Sequence, residues 1–140
     1  MRQLKFTGLL SVLLVLFSIS TAHAEAISIT DIKMAHDIDG KYLPVNATKS
    51  FPSGTAKVFC WFAWKDATVD SQITVRWHYL TDDISILNYN FSIPRKQGSG
   101  GVALSMPEGK TLPPGSYQVE LFFADKKISS LQFAVLEKTS

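Results

Sequence analysis

Hydrophobic and polar residues alternate most clearly in the segment 115–136. In its first half, every second residue from Tyr117 to Phe123 is apolar. After a polar break at 125–127, the same alternation of inward and outward positions continues from Ser129 to Val135. A period of two is typical of a half-buried strand, so the segment predicts two antiparallel strands joined by a tight turn. Such a hairpin carries a full apolar face that needs a second layer to cover it. We therefore expect a β-sandwich.

Shorter alternations upstream predict the remaining strands, which lie near residues 27–32, 56–64, 73–79, 87–93 and 102–106. Ile84 and Ile86 have the opposite parity to Leu87, which predicts a bulge or a change of face near Ile86. The segment 41–54, with Pro44, Pro52 and Gly54, reads as a connection with at most a short edge strand. The pattern contains no convincing helix after residue 24. The chain is predicted to be all-β.

The strand at 56–64 is apolar on both faces. Alternation places Val58, Cys60, Phe62 and Trp64 on one face, predicted to be the core, and leaves Phe59 and Trp61 on the other. Such a strand either is covered on both sides or turns one face to something outside the domain. Both readings stay open, since the N-terminal segment or the 41–54 connection could cover the two aromatic rings.

Three local features resemble the immunoglobulin-type sandwich. Tyr117 follows Pro113-Pro114-Gly115 at the start of the penultimate strand, Cys60 lies in the apparent second strand, and Trp77 lies in the next. The resemblance implies a single antiparallel sandwich of about seven strands, with a tyrosine corner at Tyr117 and a core tryptophan at Trp77. Val119 stands where the family's second cysteine would be, so the core must rely on packing, as in fibronectin-III-like relatives. The resemblance carries no active site with it.

The first 24 residues are predicted to be a secretory signal peptide. Arg2 and Lys5 are followed by an apolar run at 9–19 and by the small residues of Ala22-His23-Ala24, which form a cleavage site. The apolar run is too short for a membrane span. Cleavage after Ala24 would leave one domain, residues 25–140, in the periplasm or outside the cell and free of the membrane. An uncleaved N-terminal anchor is the alternative.

Removal of this leader changes the charge of the protein. The full chain has 14 basic and 12 acidic residues and a pI near 8.7, but Arg2 and Lys5 leave with the leader. The 12 basic residues that remain balance the 12 acidic ones, which argues against nucleic acid as a partner. The single cysteine excludes an intrachain disulfide and suits a bacterial periplasm.

The sequence contains few residues in patterns typical of catalytic or metal-binding sites. His36 and His78 are the histidines of the predicted domain, and Cys60 is expected to be buried, so a Cys-His pair is not expected. No cluster of zinc ligands occurs, and the Asp37–Gly40 segment reads as a turn rather than a calcium loop. We expect neither an enzyme nor a cofactor.

Binding is the function that the pattern favours. The candidate partner-binding residues are aromatic or charged side chains on outer sheet faces: Phe59, Trp61, Arg76, His78, Glu120 and Phe122. The last four are expected to form one mixed patch on neighbouring strands. The sequence thus predicts a non-catalytic domain that docks a protein partner or a second copy of itself. The alternative is a carbohydrate-binding module that stacks sugar rings on Trp61.

Overall fold

A computed structural model of the protein describes residues 27–139, so the predicted signal peptide lies outside the described residues. The chain forms nine strands in this range: β1 Ser28–Ile38, β2 Pro44–Ala47, β3 Ser50–Phe51, β4 Lys57–Lys65, β5 Gln72–Tyr79, β6 Ile84–Ser92, β7 Gly98–Ser105, β8 Gly115–Phe123 and β9 Lys126–Val135. No helix long and apolar enough to cross a membrane occurs among these residues. The all-β prediction is confirmed. The two strands beyond the predicted number, β2 and β3, are short pieces of the proline-containing connection.

The strands form two sheets, ordered β2-β1-β4-β7 and β3-β9-β8-β5-β6. Every pairing is antiparallel except that of β3 with β9, which is parallel. The chain crosses between sheets from β4 to β5 and returns from β6 to β7. This is the connectivity of an immunoglobulin-type sandwich whose larger sheet carries an added strand at each edge, the two-residue β3 and the nine-residue β6.

The core lies between the sheets, where the predicted inward residues meet. Trp77, Tyr117 and Phe133 are all buried, with the Tyr117 and Phe133 rings stacked at 5.0 Å and the Trp77 ring edge-on to Phe133 at 6.1 Å. From the other sheet, the predicted inner face of β4 is buried from Val58 to Trp64. The parity assigned from the sequence is confirmed for both sheets.

The β8–β9 hairpin closes with a two-residue loop, since Phe123 pairs with Lys126. Ala124 and Asp125 have φ values of 51° and 64°. Positive φ at both loop residues is the signature of a type I′ turn, whose twist matches that of the flanking strands. The predicted hairpin is confirmed, with its turn one residue earlier than the polar break indicates.

The tyrosine corner implied by the resemblance is present. The Tyr117 hydroxyl donates a hydrogen bond to the backbone carbonyl of Pro113, four residues upstream. Burial, with a smaller contribution from the neighbouring Tyr79, raises the pKa of Tyr117 from 10.0 to about 12. The phenol therefore stays neutral and remains a hydrogen-bond donor that fixes the start of β8.

Candidate binding surfaces

The first candidate surface is the outer face of the four-stranded sheet, where Trp61 is only 6% exposed. The expectation that Trp61 offers an exposed ring is wrong. The Trp61 Nε1 donates a hydrogen bond of 2.7 Å to the carbonyl of Tyr42, and Lys33 Nζ lies 5.8 Å from the ring centroid. The start of the 41–54 connection thus covers the indole, which was one of the two readings left open.

A close contact between β1 and β7 lies beside Trp61. Gly101 pairs with Trp61 in the ladder, and a Cβ at Gly101 would lie 2.7 Å from the Cδ1 of Ile38. Ile38 can therefore pack close over β7. Phe59, two residues from Trp61, is half-buried, and Lys57 Nζ lies 5.1 Å from its ring centroid. Without an open indole face, the carbohydrate hypothesis loses the residue that it depended on.

The second candidate surface is the outer face of the five-stranded sheet, where Arg76, His78, Glu120 and Phe122 lie together on β5 and β8. Arg76 lies opposite Glu120 in the ladder between β5 and β8, and the Arg76 Cζ lies 4.1 Å from the centroid of the Phe122 ring. Glu120 also contacts Lys127 at 3.4 Å, and His78 Nε2 lies 2.9 Å from an oxygen of Asp83. The structure brings the four residues together as expected. Their use in binding stays a prediction, since each charged group already has a partner within the molecule.

The third surface is strand β6, which the sequence did not single out. Among residues 27–139, four of the eight exposed large apolar side chains lie on this strand: Ile84 at 50%, Ile86 at 38%, Leu87 at 45% and Tyr89 at 51% exposed. The physical reason is the position of β6 at the end of its sheet. Phe91 still reaches Phe62 and Trp64 of the opposite sheet, at 5.1 and 5.7 Å, but the first half of β6 has no such cover.

An apolar groove adjoins the exposed half of β6. It measures about 200 Å³ and is lined by side chains of β5, β6 and β7 and of the segment that follows β7, among them Tyr79, Ile84, Ile86, Leu104, Met106 and Leu112. Trp77 pairs with Leu87 but His78 pairs with Ser85, so Ile86 is the extra residue of a bulge. The bulge predicted near Ile86 is confirmed, and it turns both isoleucines toward the same groove.

A cleft of about 470 Å³ lies near the other end of β6. Tyr42, 53% exposed, lines it together with Asp39, Ser92 and Arg95. The backbone N–H groups of Leu43 and Lys41 lower the pKa of Asp39, and the carboxylate thereby holds the turn in place. The Asp39 carboxylate is thus already used to stabilise the turn, so the cleft is a weaker candidate for a binding site than strand β6.

The residues considered for chemistry in the sequence analysis were the single cysteine and possible metal ligands. Cys60 is fully buried, and burial raises the pKa of its thiol to about 12, so it stays a neutral part of the core. No three His, Cys, Asp or Glu side chains between residues 27 and 139 are grouped so that they could hold a metal ion. The expected burial of Cys60 is confirmed.

Comparison with known proteins supports the fold. No protein-family model and no curated protein matches the chain. A crystal structure of an immunoglobulin-like protein from Pseudomonas aeruginosa is similar, with a TM-score of 0.55 and 14% identity over 81% of this chain and 99% of that one.

Two further structures have lower scores. The alkylpurine DNA glycosylase AlkC of Pseudomonas fluorescens, bound to DNA with an abasic site analog, has a TM-score of 0.46 and 10% identity over 79% of this chain and 30% of that one. A Niemann-Pick type C2 protein from the Japanese carpenter ant has a TM-score of 0.43 and 11% identity over 85% and 98% of the two chains. The strand order, the tyrosine corner and the first of the three similarities together identify the protein as an all-β sandwich with the immunoglobulin-like fold.

Proposed function

We propose that the protein is an exported, non-catalytic domain that binds another protein along its edge strand β6. One observation carries the proposal: half of the exposed large apolar side chains of residues 27–139 are gathered on this single strand. Soluble domains seldom leave such a contiguous patch open without a partner. Export is inferred from the leader pattern of residues 1–24.

The edge of β6 is suited to pairing with another strand. It is nine residues long, and no strand of the described part of the chain pairs with its free side. It contains neither a charged residue nor a proline, which are the usual devices that stop an edge from adding strands. The bulge at Ile86 interrupts only the first third. A partner strand could therefore bond to the backbone of the regular part, from Leu87 to Ser92.

The predicted sheet-face patch takes a secondary role in this proposal. Arg76 pairs with Asn88 of β6 on one side and with Glu120 on the other, so the patch continues directly from the edge strand. Interfaces commonly combine an apolar centre with a polar, charged rim. The apolar side chains of β6 on the inner face would supply the centre. Asn88 and Asn90 lie on the outer face beside the patch, and Arg76, His78, Glu120 and Phe122 would supply part of the polar rim on that side of the edge.

Site-specific photocrosslinking in the producing cells tests the proposal. A photoreactive amino acid replaces Tyr89 on β6, or Gln132 on the outer face of β9, which is exposed and belongs to the same sheet. We expect a discrete protein adduct from position 89 and none from position 132. The absence of adducts at both positions, or equal adducts at both, would contradict a docking surface at β6.

A further inference from the structure

We infer that the partner strand is β6 of a second copy of this chain, paired antiparallel about a two-fold axis at Tyr89. The inference rests on the proposed function of the β6 edge and names its partner. A second copy is singled out by the symmetry of the strand, by the match of its side chains and by the charges that flank it.

Symmetry restricts the possible registers. A two-fold axis perpendicular to the sheet keeps each sheet face on its own side, so every residue must pair with one of equal parity. An axis at Tyr89 places Leu87 opposite Phe91 of the second copy and Asn88 opposite its Asn90. This register uses the regular part of β6 and leaves the bulge at Ile86 outside the central ladder.

The side chains match in this register. Leu87, Tyr89 and Phe91 pair with the core-facing Trp77, Val75 and Ile73 of β5, so they lie on the inner face and meet their counterparts there. Asn88 and Asn90 lie on the outer face, where the Asn90 side-chain oxygen already accepts a bond of 3.0 Å from Thr74. The side-chain amide N–H groups of these asparagines donate no hydrogen bond within residues 27–139 and would face each other across the new pair. Apolar residues thus meet apolar residues, and amides meet amides.

The flanking charges distinguish a second copy from an arbitrary strand. Asp82 and Asp83 precede β6, Arg95 and Lys96 follow it, and the residues between them carry no charge. Antiparallel pairing places the acidic residues before β6 of one copy beside the basic residues after β6 of the other. Opposite charges therefore meet at both ends.

These charged groups are available for such contacts. The side chain of Asp83 is 93% exposed even though it contacts His78. Asp82, Arg95 and Lys96 take part in no ion pair within residues 27–139. Exposed ion pairs add little stability individually, but complementary charges orient an encounter and disfavour the wrong alignment. We infer that the apolar side chains supply most of the affinity, and that the charges at the strand ends favour the antiparallel orientation.

Sedimentation velocity of the purified domain, residues 25–140, tests the inference. We expect a reversible monomer–dimer equilibrium. Tyr89→Lys should weaken dimerisation by at least about tenfold, since it places two like charges beside each other at the axis. The matched control Gln132→Lys adds the same charge to the outer face of β9 and should leave dimerisation unchanged. Circular dichroism of each variant shows that the fold is retained.

Charge reversal tests the antiparallel orientation. Arg95→Asp with Lys96→Asp should weaken the dimer, and the addition of Asp82→Lys and Asp83→Arg in the same chain should restore it, because the two ends again carry opposite charges. Tyr89→Cys should give a disulfide-linked or short-linker dimer on oxidation or treatment with a bismaleimide, while Cys60 stays buried and unreactive.

The inference and the proposed function fail in different ways. A protein that stays monomeric up to about 1 mM, or a dimer that Tyr89→Lys leaves intact, overturns the second copy as the partner. If position 89 nevertheless crosslinks to a different protein in cells, the proposed function stands without the inference. If the domain is monomeric and position 89 gives no adduct, both are overturned.

Discussion

At the scale of single residues, Tyr117 shows how one side chain serves both packing and polarity. Its ring stacks on Phe133 inside the sandwich, while its hydroxyl reaches the carbonyl of Pro113 at the edge of the core. Burial favours the neutral phenol, and only the neutral phenol can donate this bond. The protonation state of one group is therefore linked to the stability of the whole domain.

We predict that the domain loses stability above pH 10. The pKa of Tyr117 is raised from 10.0 to about 12, so the folded state keeps a proton that the unfolded state releases. The contribution is complete below pH 10 and is lost as the pH rises to about 12. Urea unfolding at pH 8 to 11.5 should show a steeper decline for the native protein than for Tyr117→Phe. At pH 8 that variant should cost about 1 kcal/mol for the lost hydrogen bond. Equal slopes for the two proteins would contradict this linkage.

At the scale of elements, the β8–β9 hairpin and strand β6 show opposite balances of local and tertiary control. The hairpin has its alternation, its partner and its turn within one short segment, so its structure follows from local sequence. Strand β6 has an equally regular alternation from Leu87 to Ile93, yet Leu87 and Tyr89 are exposed while Ile93 is buried. The side chains on the inner face of a strand are buried only where the opposite sheet lies over them. The opposite sheet does not extend over the first half of β6.

We predict that Ala124→Gly stabilises the hairpin and the protein by about 0.5–1 kcal/mol. Ala124 has a φ of 51°, a conformation that costs an ordinary L-residue about 1–2 kcal/mol and costs glycine almost nothing, although glycine loses more entropy on folding. The matched control, Ala134→Gly within β9, removes a methyl group from an extended position and should destabilise by about 0.5–1 kcal/mol. Thermal and urea unfolding measure both changes. A loss of stability at both positions would show that the turn is unstrained.

At the scale of the whole molecule, packing holds the two sheets together without a disulfide. Trp77 is fully buried, and its indole Nε1 has no hydrogen-bond partner within residues 27–139. An unpaired buried donor costs about 1–3 kcal/mol, so Trp77 stabilises through its volume and in spite of its polar atom. The size of the ring, more than its chemistry, makes it the central residue of the core.

We predict that Trp77→Ala destabilises the domain by roughly 3–5 kcal/mol, enough to unfold a marginal sandwich. Trp77→Phe should cost less than half as much, because it fills most of the volume and removes the unpaired donor. Equilibrium urea unfolding followed by circular dichroism measures both. A loss below about 1 kcal/mol for the alanine variant would be incompatible with a core role for Trp77.

The sequence by itself determined the features that depend on local periodicity. It gave the all-β class, the hairpin, the bulge at Ile86, the burial of Cys60 and Trp77, and the placement of Arg76, His78, Glu120 and Phe122 on one outer face. Side-chain parity in a strand has a fixed period, so the face of each residue can be assigned before its neighbours are known.

The tertiary structure alone decided which of those faces meet water. Trp61 and Tyr89 are both aromatic residues in alternating strands, and the sequence pointed to Trp61 as one of six candidate binding residues but not to Tyr89. In the folded chain the backbone at Tyr42 accepts the Trp61 indole bond and covers it, while Tyr89 is left open at the end of its sheet. Whether an outward-facing side chain is buried depends on contacts between residues far apart in the chain, and the local alternation of hydrophobic and polar residues does not predict these contacts.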